Sequence, residues 1–457
     1  MLDQENLSAL QAALKRLDDG FGKLPAFKDG APGIARLTEV LQQTADRLQD
    51  NYPYFHPLYA GQMLKPPHPV ARLAYALALW INPNNHALDG GRATSAMEKE
   101  AVAEIAAMFG WKSFLGHLCG GGTMANLEAL WVAGQKHPRK KVLASEQAHY
   151  THKRISGVLQ LEFETAPCDV RGRMDAGALA KRVARGDVGT VVATMGTTAT
   201  GSVDPLPEIL ALREKHGFRV HADAAYGGYF TLAQNLEGAT SRAFAKIGEA
   251  DSIVIDPHKH GLQPYGCGCV LFRDPAVGQL YKHDSPYTYF SSAELHLGEI
   301  SLECSRPGAA AAALWATQKL LPLVREGEFA RGLERGRTAA LALFERLRGD
   351  SRFVTAFPPE LDIVVFAPKA ASVSEASTRS CELFEAAAKR DLHLAVADLP
   401  LSFWEQNLGA MQRDRETLTC LRSVLMKPEH HDWVGRIWDL LSTLASTNSW
   451  FGRASSL

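Results

Sequence analysis

Lys259 stands in Asp256-Pro257-His258-Lys259-His260-Gly261, directly after Ser252-Ile253-Val254-Ile255, an apolar, partly β-branched run of the kind that forms a buried strand. Past it, Gly266-Cys267-Gly268-Cys269-Val270-Leu271-Phe272 reads as a second strand that opens on glycines. A lysine at the edge between two buried strands is costly to keep charged, because desolvation disfavours the ammonium. A neutral amine in a dry pocket is a nucleophile for carbonyl groups, and Schiff-base formation is its usual chemistry. A solvated lysine on the rim of a sheet is the plainer alternative.

A second charged residue lies in His221-Ala222-Asp223-Ala224-Ala225-Tyr226-Gly227-Gly228, after a short strand at 218–220. An acid at the end of a buried strand needs a cation or several donors to stay ionised. Small residues on both sides let a flat ligand approach the backbone. Asp223 and Lys259 could form a structural ion pair. The alternative is that both hold pyridoxal phosphate, the lysine as an imine and the aspartate keeping the pyridine nitrogen protonated so that the ring accepts electrons.

These residues must be positioned by repeated strand and helix units. Gly120-Gly121-Gly122-Thr123 follows Phe114-Leu115-Gly116-His117-Leu118 and opens a helix over 124–132. Glycines there let backbone amides face an anion, and the helix N-terminus adds a favourable dipole; a tight turn would explain the same run. Val142-Leu143-Ala144 is a strand leading to Glu146-Gln147-Ala148-His149, and His149 suits planar packing, proton donation or both. A β-branched strand at 190–198, a helix at 205–216 and the strand delivering Asp223 follow the grammar of a mostly parallel sheet, with ligands at the strands' carboxyl ends. All the motifs above fall at such ends.

A chain of 457 residues can bury one large core plus a smaller one. Its 46% hydrophobic and 22% charged content is that of a globular protein. A net charge of −1 leaves no field to gather nucleic acid or an anionic membrane. Seven cysteines, scattered among apolar neighbours, read as reduced thiols. Cys267-Gly268-Cys269 has the wrong spacing for zinc, so core packing is expected and no metal site. The first residues lack the basic and apolar regions of an export signal, and the apolar run at 70–81 is too short to span a bilayer, so a cytoplasmic enzyme is expected.

Outside the central region, two amphipathic helices are expected within 1–50, either clasping a partner or capping their own subunit. Ser95 followed by Glu98 suggests a capping box opening a helix at 96–109. From about residue 325 the pattern becomes α+β: helices at 329–347, 376–390 and 433–444, with strands at 363–366, 393–397 and 420–425. The expected division is a helical segment 1–75, a large domain 76–325 and a small C-terminal domain 326–457.

Gly-Gly-Thr-Met-Ala-Asn at 121–126, His-Ala-Asp-Ala-Ala-Tyr-Gly-Gly at 221–228 and Asp-Pro-His-Lys-His-Gly at 256–261 occur in the order seen in group II pyridoxal-phosphate-dependent amino-acid decarboxylases. The chain resembles that family, which includes glutamate, aromatic-amino-acid and archaeal tyrosine/aspartate decarboxylases, from about residue 54 to 315. The resemblance implies a fold-type I α/β architecture, with a mostly parallel seven-stranded sheet flanked by helices and a smaller α+β domain. It implies pyridoxal 5'-phosphate as cofactor, held by Gly121, Gly122, Thr123, His149, Thr198, Asp223, Ala225, His258 and Lys259. It also implies a homodimer, in which the N-terminal helices clasp the partner and Ser305 reaches the neighbouring subunit's phosphate. A loop at 281–298 would close over the site and supply Tyr287 or Tyr289 as proton donor. Gln62, Arg92 and Arg422 match or suit substrate-carboxylate recognition, which favours aspartate or glutamate; Tyr54, Phe55 and Tyr59 leave an aromatic substrate open.

Asp256 departs from the asparagine of the aromatic-amino-acid and animal glutamate enzymes. A carboxylate facing a phosphate is repelled, so Asp256 is expected to point elsewhere or to pair with a cation. Sphingosine-phosphate lyase shares the Asp-x-His-Lys pattern, so carbon–carbon lyase action is a competing reading. A non-catalytic pyridoxal-binding protein is a third, against which the Lys259, Asp223 and His149 set argues.

Overall fold

The computed structural model describes residues 3–25, 30, 33–87, 89–282 and 300–447. Seven strands form the main sheet: β1 (Leu115–Cys119), β2 (Lys141–Ser145), β3 (Phe163–Ala166), β4 (Val188–Thr194), β5 (Arg219–Asp223), β6 (Ser252–Ile255) and β7 (Gly268–Phe272), in the order β1-β7-β6-β5-β4-β2-β3. Only β7 runs against its neighbours. β4 is buried along its whole length, which explains its unbroken apolar, β-branched sequence, since a parallel strand covered on both faces has no polar side to show. Crossover helices return the chain between parallel strands. The helix Leu206–His216 is ended by Gly217 at φ +70°, the left-handed conformation that glycine adopts without a Cβ penalty.

A second, antiparallel sheet holds β8 (Phe353–Thr355), β9 (Ile363–Pro368), β10 (Ala395–Pro400) and β11 (Thr417–Val424), in the order β10-β11-β9-β8. Its faces bury against different partners. Ile363 and Val365 of β9 join the core under the main sheet, whereas Val364 and Phe366 pack with Leu343, Leu421 and Leu441 on the far side. That split follows from the two-residue period of a strand. One apolar core thus runs continuously from the main sheet into the inner face of the small one.

Several boundaries differ from expectation. The capping box at Ser95 does not form: the helix begins at Arg92 with Gly91 at its N-cap, and the Ser95 hydroxyl is buried without a partner among the described residues. Glu98 is drawn inward instead, accepting from the Leu118 amide at 3.0 Å and pairing with Arg306 at 2.5 Å. The strand expected at 393–397 lies at Ala395–Pro400. It is an edge strand, where a proline costs no ladder hydrogen bond. The helix read as opening at residue 124 already includes Gly122.

The N-terminal helices are present as Gln4–Phe21 and Ile34–Leu48, and neither buries a residue. The first lies against the helix Pro69–Leu79; the second leaves Ile34, Leu37, Val40, Leu41 and Leu48 exposed, so it does not cap its own subunit's core. Among the described residues no helix is long and apolar enough to cross a membrane.

Candidate active site

A cavity of about 450 Å³ opens at the carboxyl edge of the main sheet. Five strands deliver its lining: Gly120, Gly121, Gly122 and Thr123 follow β1; His149 and Thr151 follow β2; Thr194, Gly196 and Thr198 come from the end of β4. Asp223, Ala225 and Tyr226 come from the end of β5, and Asp256, His258 and Lys259 follow β6. Parallel strands all end on the same edge, so residues far apart in sequence converge there. The expected residues Gly121, Gly122, Thr123, His149, Thr198, Asp223, Ala225, His258 and Lys259 therefore line one space.

The glycine turn makes one wall. Gly121 has φ +139° and caps the helix Gly122–Lys136 with no side-chain hydrogen bond, leaving first-turn amides for an anion. Close approach needs glycine on both sides: a Cβ on Gly268 would sit 2.5 Å from the Gly121 Cα, and one on Gly122 would sit 2.7 Å from the Asp256 Oδ2. Gly120 N already donates to Glu303 Oε2 at 3.0 Å.

Asp223 is buried at the last position of β5. Its Oδ2 lies 2.8 Å from His152 Nε2, and its Oδ1 accepts from the Ala225 amide at 3.2 Å. Burial alone would raise its pKa. The hydrogen bond from His152 and the nearby His152, His221 and Lys259 outweigh that and hold the carboxyl below its ordinary range. Beneath it, His221 bridges Ser252 Oγ and Asn126 Oδ1, each at 2.8 Å, and burial pushes its pKa down to about 3, so it packs as a neutral ring. His152 was missing from the expected set. Its signal in the sequence is its place three residues after His149, on the first turn of the helix Thr151–Val158, which turns it toward the sheet.

Lys259 is not the dry, unpaired amine expected. Its side chain retains 22% exposure, and its Nζ lies 3.0 Å from Asp256 Oδ2. Asp256 does pair with a cation, but it also faces the glycine turn, and its Oδ1 is buried without a partner among the described residues. The ring of His258 lies against Tyr265 with centroids 4.8 Å apart.

His149 is half-buried. Its Nδ1 accepts from the Thr151 amide at 3.3 Å and lies 2.8 Å from the Thr151 hydroxyl, which leaves the proton on Nε2. Burial lowers its pKa, with Asp223 opposing and Lys259 reinforcing that shift.

The expected substrate residues are placed differently. Arg422, on β11, does not line the cavity; it is buried, donates from Nη1 to Gln62 Oε1 at 3.2 Å and to the Gly61 carbonyl at 3.4 Å, and leaves Nε and Nη2 without partners among the described residues. Tyr226, which does line the cavity, donates its hydroxyl to Asp362, and Asp362 Oδ2 lies 2.9 Å from His260 Nε2. Gln62 and Tyr59 face a separate cleft shared with Tyr52 and His393, and Tyr54 and Phe55 do not line the cavity. Arg92 is exposed on the first turn of its helix. Ser305 is exposed and accepts from Asn84 Nδ2 at 3.1 Å. Tyr287 and Tyr289 lie outside the described residues.

The lining fits pyridoxal phosphate. An uncapped helix start behind glycines suits a phosphate, a buried ionised carboxylate suits a pyridinium, and a primary amine faces the same space. Consistent with this, residues 51–369 match the model of the pyridoxal-dependent decarboxylase conserved domain. The chain is 30% identical to a probable L-tyrosine/L-aspartate decarboxylase of Methanothermobacter thermautotrophicus, over 71% of this chain and 86% of that one. It is 29% identical to an L-tyrosine decarboxylase of Enterococcus faecium, over 63% of this chain and 64% of that protein, and so spans less than two thirds of the bacterial enzyme's length. The fold superposes on Oryza sativa TDC, solved with PLP and tryptamine, with a TM-score of 0.77 and 19% identity over 97% of this chain and 98% of that one. The chain belongs to the family of pyridoxal-dependent decarboxylases.

Proposed function

We propose that the protein removes the α-carboxylate of an L-amino acid as CO₂, with pyridoxal phosphate as cofactor. The observation that carries the proposal is that Lys259, the ionised Asp223 and the glycine turn line one cavity. Lys259 supplies the amine for covalent attachment. Asp223, kept anionic by His152, would keep a proton on the ring nitrogen, and the amides after Gly121 with the Thr123 hydroxyl would hold the phosphate. When bound, the cofactor supplies an electron-accepting ring for the bond that breaks. His149 carries a proton on Nε2 at the cavity and can move it to the substrate carbon; the same role for Tyr287 or Tyr289 rests on the family resemblance. His149, Thr198, Ala225 and His258 complete the cofactor's surroundings.

The substrate favoured is acidic, aspartate or glutamate. Arg422 has two buried nitrogens without partners among the described residues, and a guanidinium is suited to binding a carboxylate through two of them. Arg422 lies near enough to Tyr226, which lines the cavity, to interact with it electrostatically. A tyrosine-type substrate is the second reading, supported by the names of the relatives and by the Tyr52, Tyr54 and Tyr59 cluster. A carbon–carbon lyase of the sphingosine-phosphate type is less supported, because the matched family is one of decarboxylases. A homodimer is proposed from the exposed apolar stripe of Ile34–Leu48, with Arg92 and Ser305 directed to the partner's site; the division at about residues 75 and 325 is part of the same proposal. Screening purified protein for CO₂ release across the amino acids tests the activity. Release from aspartate or glutamate supports the first reading, release from tyrosine the second, and release from none refutes both.

A further inference from the structure

A second cavity, of about 620 Å³, is lined in part by His260, the chain neighbour of Lys259. Its walls come from the segment leading into the helix Pro69–Leu79, the start of the helix Glu328–Gly349 and the turn after β11. Five cationic side chains face it, Lys65, Arg72, Arg331, Arg335 and Lys427, against two carboxylates, Glu328 and Glu429. His68 and His260 complete its titratable lining.

Two of the cations are already engaged. Arg335 pairs with Asp432 at 2.6 Å, and Arg331 donates to the Glu326 carbonyl. The other three form no ion pair among the described residues, although Asp362 and Glu429 act on Lys65, and Glu429 on Lys427, through space. Lys65 donates only to the Met426 carbonyl at 3.3 Å, and Lys427, 2% exposed, only to the Tyr59 carbonyl at 2.6 Å. Arg72 Nε is buried with no hydrogen-bond partner among the described residues. Five cations against two carboxylates leave an excess of positive charge in a confined space, which a bound anion would offset. Burial lowers the pKa of Lys65 to about 8, and burial together with repulsion from Lys65 lowers that of Lys427 to about 7. An anion in the cavity would relieve all three groups at once.

We propose that this cavity is a second ligand site, for a small multivalent oxyanion carrying phosphate or several carboxylates, held by Lys65, Arg72 and Lys427. The site is separate from the one that binds the cofactor, since none of these three residues lines the first cavity. The two are nevertheless linked through His260. His260 faces the second cavity, bonds to Asp362 and to the Tyr226 carbonyl, and is the chain neighbour of Lys259.

The test uses cofactor-loaded enzyme, so that the glycine turn is already filled, and titrates inorganic phosphate and, separately, citrate by calorimetry and thermal melting. Chloride at matched ionic strength is the control. Saturable stabilisation by either anion beyond chloride is expected, phosphate alone indicating a phosphorylated ligand and citrate alone a polycarboxylate. In Lys65→Met, and independently in Arg72→Gln, the half-saturating concentration should rise about tenfold or more, the loss of one charge-assisted contact. Lys427→Met is the harsher variant because Lys427 also anchors the Tyr59 carbonyl. Equal stabilisation by phosphate, citrate and chloride, or unchanged half-saturation in both milder variants, would overturn the proposal.

Discussion

Asp223, which lines the cavity, and Arg422, which does not, are both buried charges, and the fold treats them in opposite ways. Asp223 is fully supported: His152 and the Ala225 amide bond its two oxygens, and the His221–Asn126–Ser252 set packs beneath. Arg422 is anchored through one nitrogen and, among the described residues, has two left over. The first arrangement is complete before any substrate arrives, as suits a group whose task is the same for every amino acid. The second is incomplete, as the proposed role in holding a substrate carboxylate requires, because buried donors left unpaired penalise the wrong ligand.

The comparison can be broken first at its invariant half. Lys259→Ala should abolish decarboxylation and covalent cofactor retention, and Asp223→Ala should lower kcat by about a thousandfold or more, a loss on the scale of removing a preorganised charge from an active site. Steady-state kinetics and denaturing gel filtration would show both. Gly268→Ala is expected to come next. Its Cβ would meet the Gly121 backbone at 2.5 Å, so the phosphate turn must move; cofactor affinity should fall about tenfold to a hundredfold while far-ultraviolet dichroism stays native, overpacking of this kind costing about 1–3 kcal/mol.

His152→Ala tests whether the support of Asp223 matters. A carboxyl whose folded pKa is depressed contributes stability above its unfolded value, near 4, and that contribution is lost as pH falls through the folded value. Without His152, burial dominates and the pKa rises. The variant should lose about tenfold to a hundredfold in kcat/KM at neutral pH, on the scale of a charge-assisted hydrogen bond. Its acid limb should shift upward in pH, and His152→Gln, which keeps a donor, should recover part of both. The smallest effect sharpens the variable half. Arg422→Met should raise KM for an acidic substrate by about tenfold or more with little change in kcat. Unchanged KM for aspartate and glutamate would move Arg422 to a structural role and favour the tyrosine reading.

Much of this site could be read from residue types alone because parallel strands end on one edge. Once Asp223, Lys259, His149 and the glycine turn were placed after strands, their convergence followed. What could not be read was the partner of each charge. His152 supports Asp223 from a helix 71 residues earlier in the chain, and Asp256 turns toward both Lys259 and Gly122; neither relation leaves a local pattern. Ser95 shows the reverse failure, a good local capping signal overruled because Arg306 claims Glu98 from over 200 positions away. β3 and β8, short strands of four and three residues, were missed because they carry too few apolar residues to show a period.

The central claim is that one amine and one acid grip a single cofactor for decarboxylation. It is tested most directly by measuring CO₂ released from carboxyl-labelled L-aspartate, L-glutamate and L-tyrosine by cofactor-loaded wild type and Lys259→Ala side by side. The structure predicts release from at least one of them by the wild type and none above background by the variant. Equal release by both proteins would contradict it.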